Sequence, residues 1–217
     1  MAKSIKKENP FLGYDPSDIA KAFNLIVNED CMALHHWLDT QDALTGSEQE
    51  FFEALALDSE RDAPYYNEEE LKIKLIGPLF RVANTEIPKQ AKVYYERPIS
   101  ATVNNYELSV IADCLIAQPL PFGKPTHPYF FLQEFKKKRG EKSDPEGQLL
   151  CAMLIAQELN QDNRTIYGGY LFGTVWNFAT LHGNQYCVSH EFNATRRNEL
   201  LQIVFILRNL KNLILNH

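Results

Sequence analysis

Tyr129-Phe130-Phe131-Leu132-Gln133-Glu134-Phe135-Lys136-Lys137-Lys138 begins as an apolar run and ends in charge. Aromatic and branched residues favour a strand, on which residues two apart share a face. Glu134 and Lys136 are therefore neighbours at the end of a strand whose first half is buried. Taking an acid and an amine out of water is costly, so the pair asks for a reason. Twenty-one residues upstream of Glu134, Asp113 interrupts a second apolar strand, Leu108-Ser109-Val110-Ile111-Ala112-Asp113-Cys114-Leu115-Ile116-Ala117. These three residues, two acids and a lysine, are the candidate centre of the chain.

Working outward, Lys92–Ile99 reads as a strand, Asn104-Asn105 as a turn, and Tyr106–Gln118 as its hairpin partner. The proline-rich 119–128 is expected to be an irregular loop. Ser143-Asp144-Pro145-Glu146 starts a helix, Glu146–Asn160, that is apolar nearly all round and so buried. Thr165–Val175 reads as a strand in which Gly168-Gly169 marks a bulge or a close approach. A further strand, Gln185–Glu191, follows the Gly183-Asn184 turn, and Thr195 is expected to cap a last amphipathic helix.

Upstream of the hairpin the pattern is helical. Asp15-Pro16-Ser17-Asp18 opens a helix expected to reach about Trp37. Ser47-Glu48-Gln49-Glu50 reads as a capping box for a helix to about Leu57. Asn67-Glu68-Glu69-Glu70 opens another, which Gly77-Pro78 should kink or end. The order points to an α/β (α+β) chain with a central mixed sheet flanked by helices: an N-terminal arm and helices over 1–60, packing on a core over 61–217, one domain overall.

The 22 basic and 28 acidic residues give a net charge of −6, which argues against a general polyanion binder but leaves room for a local basic patch. Ten acids against the single Arg61 lie between Asp42 and Glu70, whereas bases gather at Lys136–Arg139 with Lys142. The four cysteines show no Cys-x-x-Cys or zinc spacing. Cys114 and Cys151 read as core thiols, and the expected compartment is the cytoplasm. No apolar run is long enough to span a membrane. His35-His36 lie on different helix faces and make a poor metal pair.

Phosphodiester hydrolysis needs an activated water and stabilisation of charge on the phosphate and the leaving oxygen. Mg²⁺ supplies these while bound to one or two carboxylates. Asp113, Glu134 and the main-chain carbonyl of Phe135 are candidate ligands, with Lys136 beside them to orient or activate the water. Asp113 followed by Glu134-Phe135-Lys136 resembles the core motif of the PD-(D/E)XK nuclease superfamily, with its restriction-endonuclease-like fold. Asn67-Glu68-Glu69-Glu70-Leu71, ahead of Leu75-Ile76, is similar to that family's first-helix motif. Glu68 is the best match for its metal-site acid, with Glu69 and Glu70 as alternatives. Gln148 resembles the glutamine many members carry on the helix after the lysine strand. Ala112 stands where many members have proline.

The resemblance covers roughly residues 65–175. It implies a Mg²⁺- or Mn²⁺-dependent nuclease with Glu68, Asp113, Glu134 and the Phe135 carbonyl at the metal and Asp113, Glu134, Lys136 and Gln148 as catalytic groups. Nucleic acid, most simply DNA, is then the partner, and a homodimer would suit duplex cutting. The competing expectation is a nuclease-like fold without activity that binds nucleic acid or protein, with an adaptor role for the N-terminal helices as a third. Residue by residue, the alternatives are a plain Asp113–Lys136 ion pair and Glu68–Glu70 as first-turn acids favoured by the helix dipole. Glu107 competes for the Asp113 face if the strand is regular.

Overall fold

The computed structural model describes residues 11–28, 30–136 and 143–215. Seven α-helices (α1 Pro16–Ala22, α2 Met32–Leu38, α3 Gly46–Arg61, α4 Glu68–Leu71, α5 Gly77–Ala83, α6 Pro145–Asn160, α7 Arg197–Leu215) surround an eight-stranded sheet. The strands are β1 Ile26–Asn28, β2 Lys92–Val103, β3 Tyr106–Leu120, β4 Lys124–Lys136, β5 Ile166–Phe172, β6 Val175–His182, β7 Gln185–Val188 and β8 Phe192–Asn193. Their order is β1-β7-β6-β5-β4-β3-β2, with β8 beside β6. The β4–β5 and β1–β7 pairs are parallel and the rest antiparallel. The expected α/β class with a mixed central sheet is thus the one observed. The parallel β4–β5 pair requires a crossover, and α6 provides it.

Each face of the sheet carries its own core. On one, α6 lays Leu149, Met153 and neighbours against Leu115, Leu132 and Tyr170. On the other, α2, α3, α5 and α7 cover Phe131, Trp176 and Phe178. Trp37 of α2 is fully buried there, edge-on to Phe131, Tyr167 and Phe178, and its indole N–H donates to the Ile206 carbonyl (2.9 Å). A buried indole without such an acceptor would lose its water partner for nothing. The N-terminal sixty residues thus bury Trp37 and Phe52 and add strand β1 to the sheet.

Several local expectations change. The helix from Asp15 ends at Ala22, where Asn24 turns left-handed (φ 51°), and β1 and α2 replace its second half. The capping box of α3 is Thr45 with Glu48, two residues earlier than Ser47/Glu50. The run to Val175 is β5 plus the first residue of β6, joined at Gly173, so β6 is a strand of its own. Thr195 does not cap α7; its hydroxyl donates to Asn193.

Residues 119–128 are not an irregular loop. Pro119 pairs with Pro125 and Leu120 with Lys124, on either side of a 3₁₀ turn at Pro121–Gly123. The prolines are tolerated because this end of the ribbon has no further neighbours: β2 pairing stops at Ala117 and β5 pairing begins at Phe131. The tight Asn104-Asn105 turn is as expected, both residues having positive φ. Gly77-Pro78 does not end the helical run. A π-helical turn, Lys72–Ile76, widens the ladder ahead of Pro78, which sits in the first turn of α5 where its missing N–H costs little.

Cys114 and Cys151 are buried free thiols, but Cys31 and Cys187 form a disulfide across 156 residues, with Cα atoms 6.3 Å apart. The inference from scattered cysteines to a reducing compartment therefore falls. Among the described residues no helix is long and apolar enough to cross a membrane.

Candidate active site

Strands β3 and β4 pair, with register shifts on either side of Ala117, as far as Cys114↔Gln133 and part beyond it. The next positions are Asp113 and Glu134. Where a ladder partner would have stood, the Phe135 N–H donates instead to Asp113 Oδ2 (3.0 Å). On its other edge β4 stays paired with β5 through Lys136↔Phe172, and the Lys136 carbonyl accepts from the Gly173 N–H (2.7 Å). Main-chain groups of successive strand residues point to opposite edges. With Lys136 facing β5, the carbonyl of Phe135 faces the parted edge, the side on which Asp113 lies.

Opposite Asp113, β2 is irregular as well. Its register passes from Tyr95↔Cys114 to Arg97↔Ala112, and Glu96 between them has φ 51°. Such a conformation is uncommon for a residue with a side chain and re-aims its strand. The effect on β3 is visible in its burial. Leu108, Val110 and Ala112 pack toward α6 before Asp113, and Leu115 and Ala117 after it, so the alternation slips by one. Distance removes Glu107 from competition: it pairs opposite Thr102 near the hairpin turn, six residues and on the order of 20 Å from Asp113.

Glu134 is fully buried, and no hydrogen bond of ordinary geometry reaches either carboxylate oxygen; the Asp113 carboxyl and main-chain N–H and the Lys136 ammonium are its polar neighbours. The Asp113 carboxyl is its neighbouring acid, and the two charges oppose one another. Burial, and then the Asp113 charge, push Glu134 well above the usual carboxylate range. Asp113 is raised too, by burial, against the pull of the Phe135 N–H and the Lys136 ammonium. The two acids are best described as a coupled pair, with Glu134, the more buried, holding a proton more tightly.

Lys136 is largely buried, and its Nζ lies 3.5 Å from Glu68 Oε1. Of the three consecutive acids, Glu68 alone reaches the site. Glu69 pairs with Lys72 and Glu70 with Lys74, and Glu70 also closes a capping box with Asn67. The π-helical turn brings in a residue the sequence reading missed. Lys72 sits over the Phe135 ring (5.8 Å) and bonds Glu96 (2.5 Å). Glu96 was missed as well; it adds negative charge beside Asp113. A charged residue inside the aromatic strand Tyr94–Ile99 was the available signal, but only its left-handed backbone distinguishes it from a solvent-facing strand residue.

Gln148 is not joined to the acids: its amide oxygen accepts from the Ser143 hydroxyl (3.2 Å). The basic run Lys137–Arg139 and Lys142 lie outside the described residues. Among the described residues no three His, Cys, Asp or Glu side chains converge as a ready metal cage. What does converge is two carboxylates and one main-chain carbonyl. These are hard oxygen donors, and Glu134 makes no ordinary hydrogen bond that would compete with a bound cation. That set suits a small divalent ion such as Mg²⁺ or Mn²⁺, which takes few protein ligands and fills the rest of its shell with water and phosphate. No protein-family model matches the chain, and no curated protein matches it.

Proposed function

We propose that this chain is a divalent-metal-dependent nuclease hydrolysing phosphodiester bonds, with DNA the first substrate to test. The observation that carries the reading is Glu134: a fully buried carboxyl that makes no ordinary hydrogen bond, beside a second carboxyl at the parted end of two strands. An uncompensated pair of this kind destabilises a fold, and such groups persist where they serve chemistry. In this reading Asp113, Glu134 and the Phe135 carbonyl hold Mg²⁺ or Mn²⁺. The bound ion would lower the pKa of a water and neutralise charge on the phosphate.

The chain's own part is to position. The Phe135 N–H fixes Asp113, and burial keeps both acids away from competing solvent. Lys136 projects from the same face as Glu134 and carries the positive charge nearest the pair, placed to orient the attacking water and steady the developing negative charge. Glu68 holds Lys136 in that place. The test is cleavage of supercoiled plasmid and of labelled oligonucleotides by the purified chain with Mg²⁺ or Mn²⁺. Loss of cleavage in Asp113→Asn and Lys136→Ala supports the reading, and unchanged cleavage in both overturns it.

A second reading, a nuclease-like fold that binds without cutting, draws on the engagement of Lys136 by Glu68 and on the net charge of −6. It expects no rise in melting temperature with Mn²⁺ and only weak, strongly salt-dependent binding of nucleic acid.

A further inference from the structure

A second cavity lies on the opposite face of the sheet from Glu134, between the start of α2 and strands β5, β6 and β7. Its volume is about 460 Å³, within the roughly 300–1,000 Å³ of small-molecule sites. The strand register explains its floor. Tyr167 pairs with Thr180 and Thr180 with Cys187, so these three stand in a row on one face, with Gln185 two residues along from Cys187 on the same side. The roof is Met32 and His36 of α2, and the Cys31–Cys187 disulfide ties roof to floor.

The lining is unusual in what it leaves unused. Thr180 is 2% exposed and Tyr167 7%. Among the described residues no hydrogen bond reaches the Thr180 hydroxyl, the Tyr167 hydroxyl or the Gln185 amide. Thr180 and Tyr167 are buried as residues and Gln185 is exposed, and all three side chains can still take a partner. These open into a cavity wide enough to admit one. None of the lining residues is Asp, Glu, Lys or Arg, so the wall offers neutral donors and acceptors on one side and polarisable sulfur, from Met32 and the disulfide, on the other.

We infer that this cavity binds a neutral, flat heteroaromatic ring of the nucleobase class. Its polar edge meets Thr180, Tyr167 and the Gln185 amide, which can donate and accept together. Its face packs on the thioether and disulfide sulfur. No Lys or Arg lines the wall, which leaves His36 and His182 as the groups a phosphate could meet. The ring arrives either as a free nucleoside or as an unstacked base of a strand, and the chemistry of capture is the same. The inference does not rest on the nuclease reading, since the cavity shares no residue with that site.

The test is calorimetric titration of the full chain, disulfide intact, with adenosine, guanosine, cytidine and uridine, with adenosine monophosphate, and with short single-stranded oligonucleotides. Thr180→Val keeps the side-chain shape and removes the hydroxyl; Gln185→Ala changes an exposed position. Nucleoside binding weakened about fivefold or more by either variant, the worth of one hydrogen bond, sustains the inference. Oligonucleotide binding weakened in the same way, without nucleoside binding, sustains it with a strand as the source of the base. Absence of binding by both at millimolar concentration overturns it, as does binding that neither variant alters. Monophosphate binding tenfold tighter than adenosine overturns the neutral-ligand assignment.

Discussion

Strand β4 is held differently along its two edges. Toward β5 it is paired without interruption from Phe131 to Lys136, and Gly168 lets α6 sit so close that a β-carbon there would stand 2.8 Å from Leu149 Cδ1 and 3.1 Å from the Leu132 carbonyl oxygen. Toward β3 the pairing stops at Gln133, and a carboxylate takes the place of a ladder bond. The closed edge is built for packing. The open edge gives up ladder hydrogen bonds and leaves a buried acid without an ordinary hydrogen bond. Tyr129–Lys136 thus packs as core at one end and carries charged groups at the other, and the difference is made by what stands next to them.

The largest expected effect breaks the open edge. Lys136→Ala and Asp113→Asn should each lower metal-dependent cleavage by roughly 100- to 10,000-fold, the usual worth of a positioned proton-transfer group. Because neither holds the closed edge together, a denaturant melt should show a change in stability far smaller than the change in rate. Gly168→Val breaks the other edge. It overpacks the α6 contact, which should cost on the order of 1–3 kcal/mol, while cleavage per folded molecule, measured after correcting for the folded fraction, stays near the parent's.

Glu134→Gln sharpens the comparison in the opposite sense. A carboxyl whose folded pKa is raised binds more protons folded than unfolded, so its presence lowers stability as pH rises from the unfolded value of about 4 through the raised folded value. Removing the charge should therefore stabilise the metal-free protein near neutral pH, by roughly 1–3 kcal/mol, and bring no gain below about pH 4. Urea unfolding at the two pH values checks this, and a variant no more stable at neutral pH than the parent would contradict the account of Glu134. Added Mn²⁺ should raise the melting temperature of the parent and not of the variant. The smallest effect is at the margin of the open edge: Lys72→Ala loses ion pairs with Glu96 and Glu69, whose carboxylates are half or more in solvent, and should cost on the order of 1 kcal/mol.

What could be read directly from the chain were features with a local cause. The α4 and α6 starts are fixed by Asn67, Asp144 and Pro145, whose side chains act within three residues. The β2–β3 turn follows from two asparagines that accept positive φ. Asp113, Glu134 and Lys136 stand out because charge inside an apolar strand is costly wherever the strand goes. The misreadings have a common origin too. Proline looks like a breaker at 119–128 because a sequence does not say which strand edges lack neighbours. The Cys31–Cys187 bond spans 156 residues and has no spacing to betray it.

By itself, then, the sequence determined the class of fold and the three central residues of the candidate site, since strand alternation, helix capping and the cost of buried charge all act over short stretches. Only the tertiary structure decided that β3 and β4 part beyond Gln133, that Glu68 rather than Glu69 or Glu70 meets Lys136, that Gln148 turns to Ser143, and that Glu96 and Lys72 border the acids. Each of these depends on which segments become neighbours, and that is settled by the joint packing of two cores on one sheet rather than by any residue's own preference.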